Sequence, residues 1–183
     1  MAASSTEEAR LLERARAWDR AALAEIYDRY SPQIYRLAVR VTGDPDIAEE
    51  CVAETFTRFL AALRRGGGPR EHLRGYLFRI AHNWLNDHYR RRPTMRLDPE
   101  RDAPVAPDGW DAAWRAEALR AALAALPPAQ RTVLTLRFLE GLSPREVAEV
   151  MGKSVGAVKV LQHRALRALR RQLRRADGPP PLD

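Results

Sequence analysis

The chain has 183 residues, a formal net charge of +7 and one cysteine, Cys51. That length allows one medium domain or two small ones. The charge favours a polyanionic partner, and a single thiol excludes an internal disulfide. The four histidines, His72, His82, His88 and His163, do not cluster with Cys51 at metal-ligand spacing, so no metal or other cofactor is expected. The N-terminus lacks a basic run followed by an apolar core, and no stretch approaches the roughly 18 apolar residues of a membrane span. The expected compartment is therefore the cytoplasm, without membrane insertion.

Apolar residues recur at helical spacing nearly throughout, and no sustained period-two run of β-branched residues occurs, which predicts an all-α fold. A first helix is predicted from Thr6 to about Arg29, with Leu11, Leu12, Ala15, Trp18, Ala22, Leu23 and Ile26 on its inner side. Ser31-Pro32 reads as a cap followed by proline at the first helical position, opening a second helix that stops at Gly43-Asp44-Pro45. A third helix, about 46–65, carries Ile47, Cys51, Val52, Phe56, Phe59, Leu60 and Leu63 inward, and Gly66-Gly67-Gly68-Pro69 breaks it. A fourth helix, about 73–92, carries Tyr76, Leu77, Ile80, Ala81 and Trp84.

Residues 93–111 hold four prolines and more acids than bases, without apolar periodicity, and read as a flexible linker. The chain thus divides into a four-helix domain over 6–92 and a second small helical domain over 112–175, with a tail over 176–183. In the second domain, helices are predicted over 114–126 and 129–140. Ser143-Pro144 caps a short helix, Gly152 supplies a tight turn, and Ser154 caps a long helix to about Arg175. A short helix, a glycine turn and a longer helix make a helix-turn-helix.

The last helix separates its faces. At 100° per residue, Val158, Leu161, Ala165, Leu169 and Leu173 share one side, and Lys159, His163, Arg167, Arg170 and Arg174 the other. Lysines and arginines number eight from Lys153 to Arg175, with no acid, which suits a phosphate backbone. In this motif the N-terminal turn of the second helix enters the major groove. Val155, Gly156, Lys159 and Val160 then face base edges, with Gln162 and His163 one turn further on. Ser154 and the helix N-terminus meet a phosphate, and Arg164, Arg167 and Arg171 hold others.

The run from LPPAQR through EGLSPREVAEVMGKSVGAVK to the basic helix resembles the fourth conserved region of the ECF-type sigma factors, members of the sigma-70 family. That resemblance implies recognition of the −35 promoter element. DIAEECVAETFTRFL resembles the second conserved region, where an acidic-aromatic helix docks on core RNA polymerase. It implies docking by Glu49, Glu50, Glu54, Thr55 and Phe56. Ala53 stands where the pattern has glutamine.

LRGYLFRIAHNWLNDHYRRR resembles the segment that melts and reads the −10 element. Rings interleaved with cations suit single-stranded DNA, and the Asn83 amide offers a donor and an acceptor to a flipped base. Arg79, His82, Trp84, Asn86 and Arg90 are its implied neighbours. The likeness further implies that the linker threads the polymerase, that promoter DNA is the second partner, and that an anti-sigma factor regulates the chain. No small-molecule substrate is expected. A helix-turn-helix repressor or activator working without polymerase is the rival reading. An enzyme is not expected, because P-loop, GxSxG and HExxH patterns are missing.

Overall fold

A computed structural model describes residues 2–91 and 110–176. These form eight α-helices, with no strand among the described residues, in two regions. The N-terminal lobe holds α1 (Ala2–Arg16), α2 (Arg20–Thr42), α3 (Pro45–Arg64) and α4 (Leu73–Arg91). The C-terminal lobe holds α5 (Trp110–Ala124), α6 (Pro128–Leu134), a wide turn over Thr135–Leu139, α7 (Pro144–Met151) and α8 (Val155–Ala176). The predicted linker over 93–111 and tail over 176–183 lie largely outside the described residues. Trp110, Asp111 and Ala176 are helical.

The first two helices meet elsewhere than predicted. Helix α1 begins ahead of Thr6, and the break falls at 17–19. There Trp18 takes a φ of 61°, and the Asp19 carboxylate accepts from the backbone N–H groups of Ala21 and Ala22 at 2.9 and 3.3 Å. This cap satisfies two of the four free donors at the start of α2. The bend turns Trp18 outward, 42% exposed, with the Arg64 guanidinium 5.5 Å from its ring centre. The predicted start at Ser31-Pro32 does not occur, because Pro32 lies inside α2. Proline removes one backbone donor there, yet Tyr30, Ile34, Leu37, Ala38 and Val41 on either side are buried, and that packing holds the helix together.

Elsewhere local chemistry and structure agree. Asp44 caps α3, accepting from the N–H groups of Asp46 and Ile47, and Pro45 occupies its first turn. Glu8 of α1 caps α4 from a distance: its carboxylate accepts from the Leu73 N–H at 2.9 Å and from the Tyr30 hydroxyl at 3.2 Å. A negative charge suits the positive end of that helix. Arg16 donates to the carbonyls of Gly66, Gly67 and Pro69, which fixes the loop between α3 and α4.

The C-terminal lobe closes around Val133, Leu134, Leu136, Leu142, Val147, Val150, Val158 and Ala165, all buried. The helix predicted over 129–140 is interrupted: α6 gives way to a π-type turn in which the Glu140 N–H donates to the Thr135 carbonyl, five residues back, at 2.9 Å. Arg131 of α6 is buried, and burial pushes its pKa down. Its guanidinium donates to the carbonyls of Leu123 and Leu126 at 2.9 and 3.0 Å and to that of Ala124, in the last turn of α5 and just past it. It also reaches the Val41 carbonyl of α2, which accepts in addition from the Tyr89 hydroxyl at 2.8 Å. One cation thus serves the negative ends of two helices and ties the lobes together.

Candidate nucleic-acid and polymerase interfaces

The helix-turn-helix forms as the residues dictate. Ser143 and Glu146 make a reciprocal capping box at the start of α7, with bonds of 3.2 and 2.7 Å. Gly152 ends α7 in the left-handed region at φ 61°, where glycine has no steric cost. The Ser154 hydroxyl accepts from the Ala157 N–H at 3.2 Å and caps α8. Val158 and Ala165 seat α8 in the lobe's core.

That seating turns the expected reading face outward. Ser154, Val155, Gly156, Lys159, Val160, His163, Arg164, Arg167 and Arg171 are all exposed. Gln162 is the exception: it is half-buried, and its side-chain carbonyl accepts from Arg137 at 3.2 Å. Arg137, on the wide turn, had no signal in the sequence marking it as a partner of α8.

Helix α4 carries a second polar stripe. Arg79, Asn83, Asn86 and Arg90 are exposed, and their spacing of four, three and four residues places them on one face. Arg90 donates to Asp87 at 3.0 Å. His82 lies under this stripe, 5% exposed, with its Nε2 2.9 Å from the Asn86 amide nitrogen. Burial, with the positive charge of Lys153 added, holds His82 down at about 4. Trp84 is half-buried, and its ring lies 5.1 Å from that of His88. Of the expected neighbours of Asn83, His82 is therefore packed away and Trp84 partly so, while the arginines and Asn86 are open.

On α3, Glu49 and Glu50 are exposed. Glu54 is half-buried and bonds Arg58 at 2.7 Å. Thr55 departs from its expected docking role: it is fully buried, with its hydroxyl donating to the Cys51 carbonyl at 2.6 Å. It falls four residues after Cys51 and four before Phe59, so the helical period places it on the inner row. Phe56 is 7% exposed and packs against Tyr27, with ring centres 4.7 Å apart and the planes tilted by 54°. Beside it runs an apolar cleft of about 400 Å³ lined by Trp18, Leu23, Tyr27, Ala53 and Leu60. Ala53 thus opens onto a cleft that a longer side chain would enter. Cys51 is buried, as its helix face predicts, and burial raises its thiol to about 12, which keeps it protonated.

Residues 26–93 match the family model for sigma-70 region 2, and residues 116–169 match that for sigma-70 region 4. The chain is 35% identical over 170 residues to the ECF RNA polymerase sigma factor BldN of Streptomyces coelicolor, a match covering 89% of this chain but 64% of that relative. It is 30% identical over 171 residues to the ECF RNA polymerase sigma factor SigW of Bacillus subtilis, covering 85% of this chain and 91% of that one. Among solved structures it is similar to CnrH in complex with the cytosolic domain of CnrY, with a TM-score of 0.70, 26% identity and 93% and 98% of the two chains covered. The sigma factor RpoE in complex with the anti-sigma factor NepR from Bartonella quintana shares the fold, with a TM-score of 0.65, 22% identity and coverage of 82% and 96%.

Proposed function

Because the chain belongs to the ECF RNA polymerase sigma factors, proteins that bind core RNA polymerase and confer promoter specificity, we propose that its two lobes divide that work by the faces they expose. Helix α8 enters the major groove of the −35 element, with Val155, Gly156, Lys159 and Val160 at base edges. Arg164, Arg167 and Arg171 grip phosphates, which sets position and carries no sequence information. The stripe of Arg79, Asn83, Asn86 and Arg90 takes the unpaired −10 strand, with Asn83 reading a base edge and the arginines meeting phosphates. Glu49, Glu50 and Glu54, beside the apolar cleft at Phe56, dock on a basic helical surface of the polymerase.

The observation that carries this reading is the pairing, in one chain, of a capped helix-turn-helix with a separate exposed amide-and-arginine stripe. A duplex-binding repressor has use for the first and none for the second. The reading also implies that the protein works in the cytoplasm, performs no covalent chemistry and is held in check by an anti-sigma factor, as the similar complexes of CnrH and RpoE suggest. Each recognition is weak alone, and linkage makes them strong together.

Run-off transcription with purified core polymerase and fragmented genomic DNA tests the proposal. New discrete transcripts are expected, lost with Asn83→Ala or with charge reversal at Arg164 and Arg167. Tight binding to duplex DNA without polymerase, and no factor-dependent initiation on any fragment, would refute it.

A further inference from the structure

We propose that the exposed face of α3 is its own complement, and that two copies of the chain pair through it as a weak twofold dimer. Asp46, Glu50, Ala53, Thr57 and Arg64 are all exposed. At 100° per residue they fall within about 40° of Thr57 and form one row along the helix. Glu50 lies seven residues before Thr57 and Arg64 seven after it, about 10.5 Å each way at 1.5 Å per residue. The row is thus acidic at one end and cationic at the other, with two short side chains between. Among the described residues neither Glu50 nor Arg64 has an ion-pair partner, whereas Glu54 and Arg58 on the flank pair with each other at 2.7 Å.

The apolar cleft at Phe56 runs beside this row, and two of the rings lining it are open to solvent: Trp18 next to Arg64, and Tyr27, 48% exposed, against Phe56. Trp18 is held there at some cost, since a bulky residue at a φ of 61° is an outlier.

An antiparallel pair of α3 helices crossing at Thr57 brings Glu50 of each copy to Arg64 of the other. Ala53 then falls opposite Ala61 of the second copy, so the backbones can approach closely. The same patch serves on both sides, as a twofold interface requires. Rings beside the crossing supply apolar area, and the two charge pairs fix the register. A basic polymerase surface matches the acidic end of the row and repels the cationic end; a second copy matches both. The formal net charge of +7 works against self-association. It keeps the pair reversible, with a dissociation constant on the order of 10 µM.

Glu50 also belongs to the polymerase-docking face, so dimer and polymerase complex exclude each other. That consequence rests on the sigma factor reading; the dimer rests on the face alone. Well above the dissociation constant, a hundredfold rise in total chain raises free monomer only about tenfold by mass action.

Sedimentation equilibrium of the full chain at about 0.15 M salt, where the Debye length is about 8 Å, tests the dimer without DNA or polymerase. At about 100 µM, roughly four-fifths of wild-type chains are expected in dimers. Glu50→Lys alone and Arg64→Glu alone each set like charges against each other, and should weaken association at least about tenfold. Mixed in equal amounts the two variants should regain it, because both charge pairs of the mixed dimer then join opposite signs. Both positions are exposed, and helical circular dichroism should not change. A monomeric wild type at that concentration, single variants that associate like the wild type, or a mixture that stays monomeric would each overturn the dimer. A monomeric wild type whose binding to core polymerase falls with Glu50→Lys would give the face to the polymerase alone. Association that behaves as expected, from a chain that starts no transcripts with core polymerase, would refute the sigma reading and leave the dimer standing.

Discussion

Replacing Arg131 by methionine removes a buried cation and keeps most of its volume. The cost can be worked from its four acceptors. The Leu123 carbonyl keeps the bond from the Leu126 N–H, and the Val41 carbonyl keeps that from the Tyr89 hydroxyl. Among the described residues, the carbonyls of Ala124 and Leu126 have no other donor. Each buried acceptor left unpaired costs about 1–3 kcal/mol. Methionine also relieves the burial of a charge, which offsets part of this loss. The net expectation is about 3 kcal/mol of destabilisation. With a urea slope of about 2 kcal/mol per molar, the midpoint should fall by about 1.5 M. Equilibrium urea unfolding followed by far-UV circular dichroism measures it. Arg131→Lys should fall between the two, because a compact ammonium cannot span acceptors on two helices as the planar fork does. A midpoint shift below about 0.4 M for the methionine variant would refute the view that this guanidinium satisfies both helix ends.

Two further expectations concern pH and salt. His82 has a depressed folded-state pKa, about 4 against 6.5, so the unfolded chain binds the proton more readily. Its contribution is whole above about pH 6.5 and is lost as pH falls towards 4, amounting to about 3 kcal/mol. Thermal melting between pH 4 and 7 should show that slope in the wild type, and His82→Gln should flatten it. For promoter binding by the polymerase complex, Arg167→Ala should weaken all sequences alike. It should also reduce the slope of log affinity against log salt by about 0.9, read from filter binding across a salt series. A loss confined to one promoter sequence would instead place Arg167 at a base.

What was legible in the sequence was mostly local. Ser143-Pro144, Gly152 and Ser154 mark the helix-turn-helix because caps and turns act within four residues, and all of them form as read. The one-sign face of α8 was equally open to angular arithmetic. The break before α2 was misplaced because the apolar pattern from Leu11 to Ile26 continues in phase across it. Only the Asp19 cap and the left-handed Trp18 mark it, and an aspartate inside a charged helix is a weak signal. Pro32 misled in the opposite direction, since burial on both sides outweighs one missing donor. Thr55 was assigned by its place in a motif when its period from Cys51 already placed it inward. The bonds of Glu140 to Arg40 and Arg74 had no local trace at all: those partners lie 100 and 66 residues away. Lys153, whose charge bears on His82, is likewise far from it in the chain.

The wide turn over Thr135–Leu139 shifts the phase of the chain. A turn closed by bonds to the fifth residue holds one residue more than an α-helical turn, and so behaves like a single insertion within a helix. Everything after it is rotated by about 100° relative to an uninterrupted α6. Past that turn Glu140 faces inward, and Phe138 and Leu139 on it face outward at 55% and 47% exposure. That turn lies directly between α6 and the carboxylate that Arg40 and Arg74 share. A one-residue deletion there would rewire the molecule without altering a single charge.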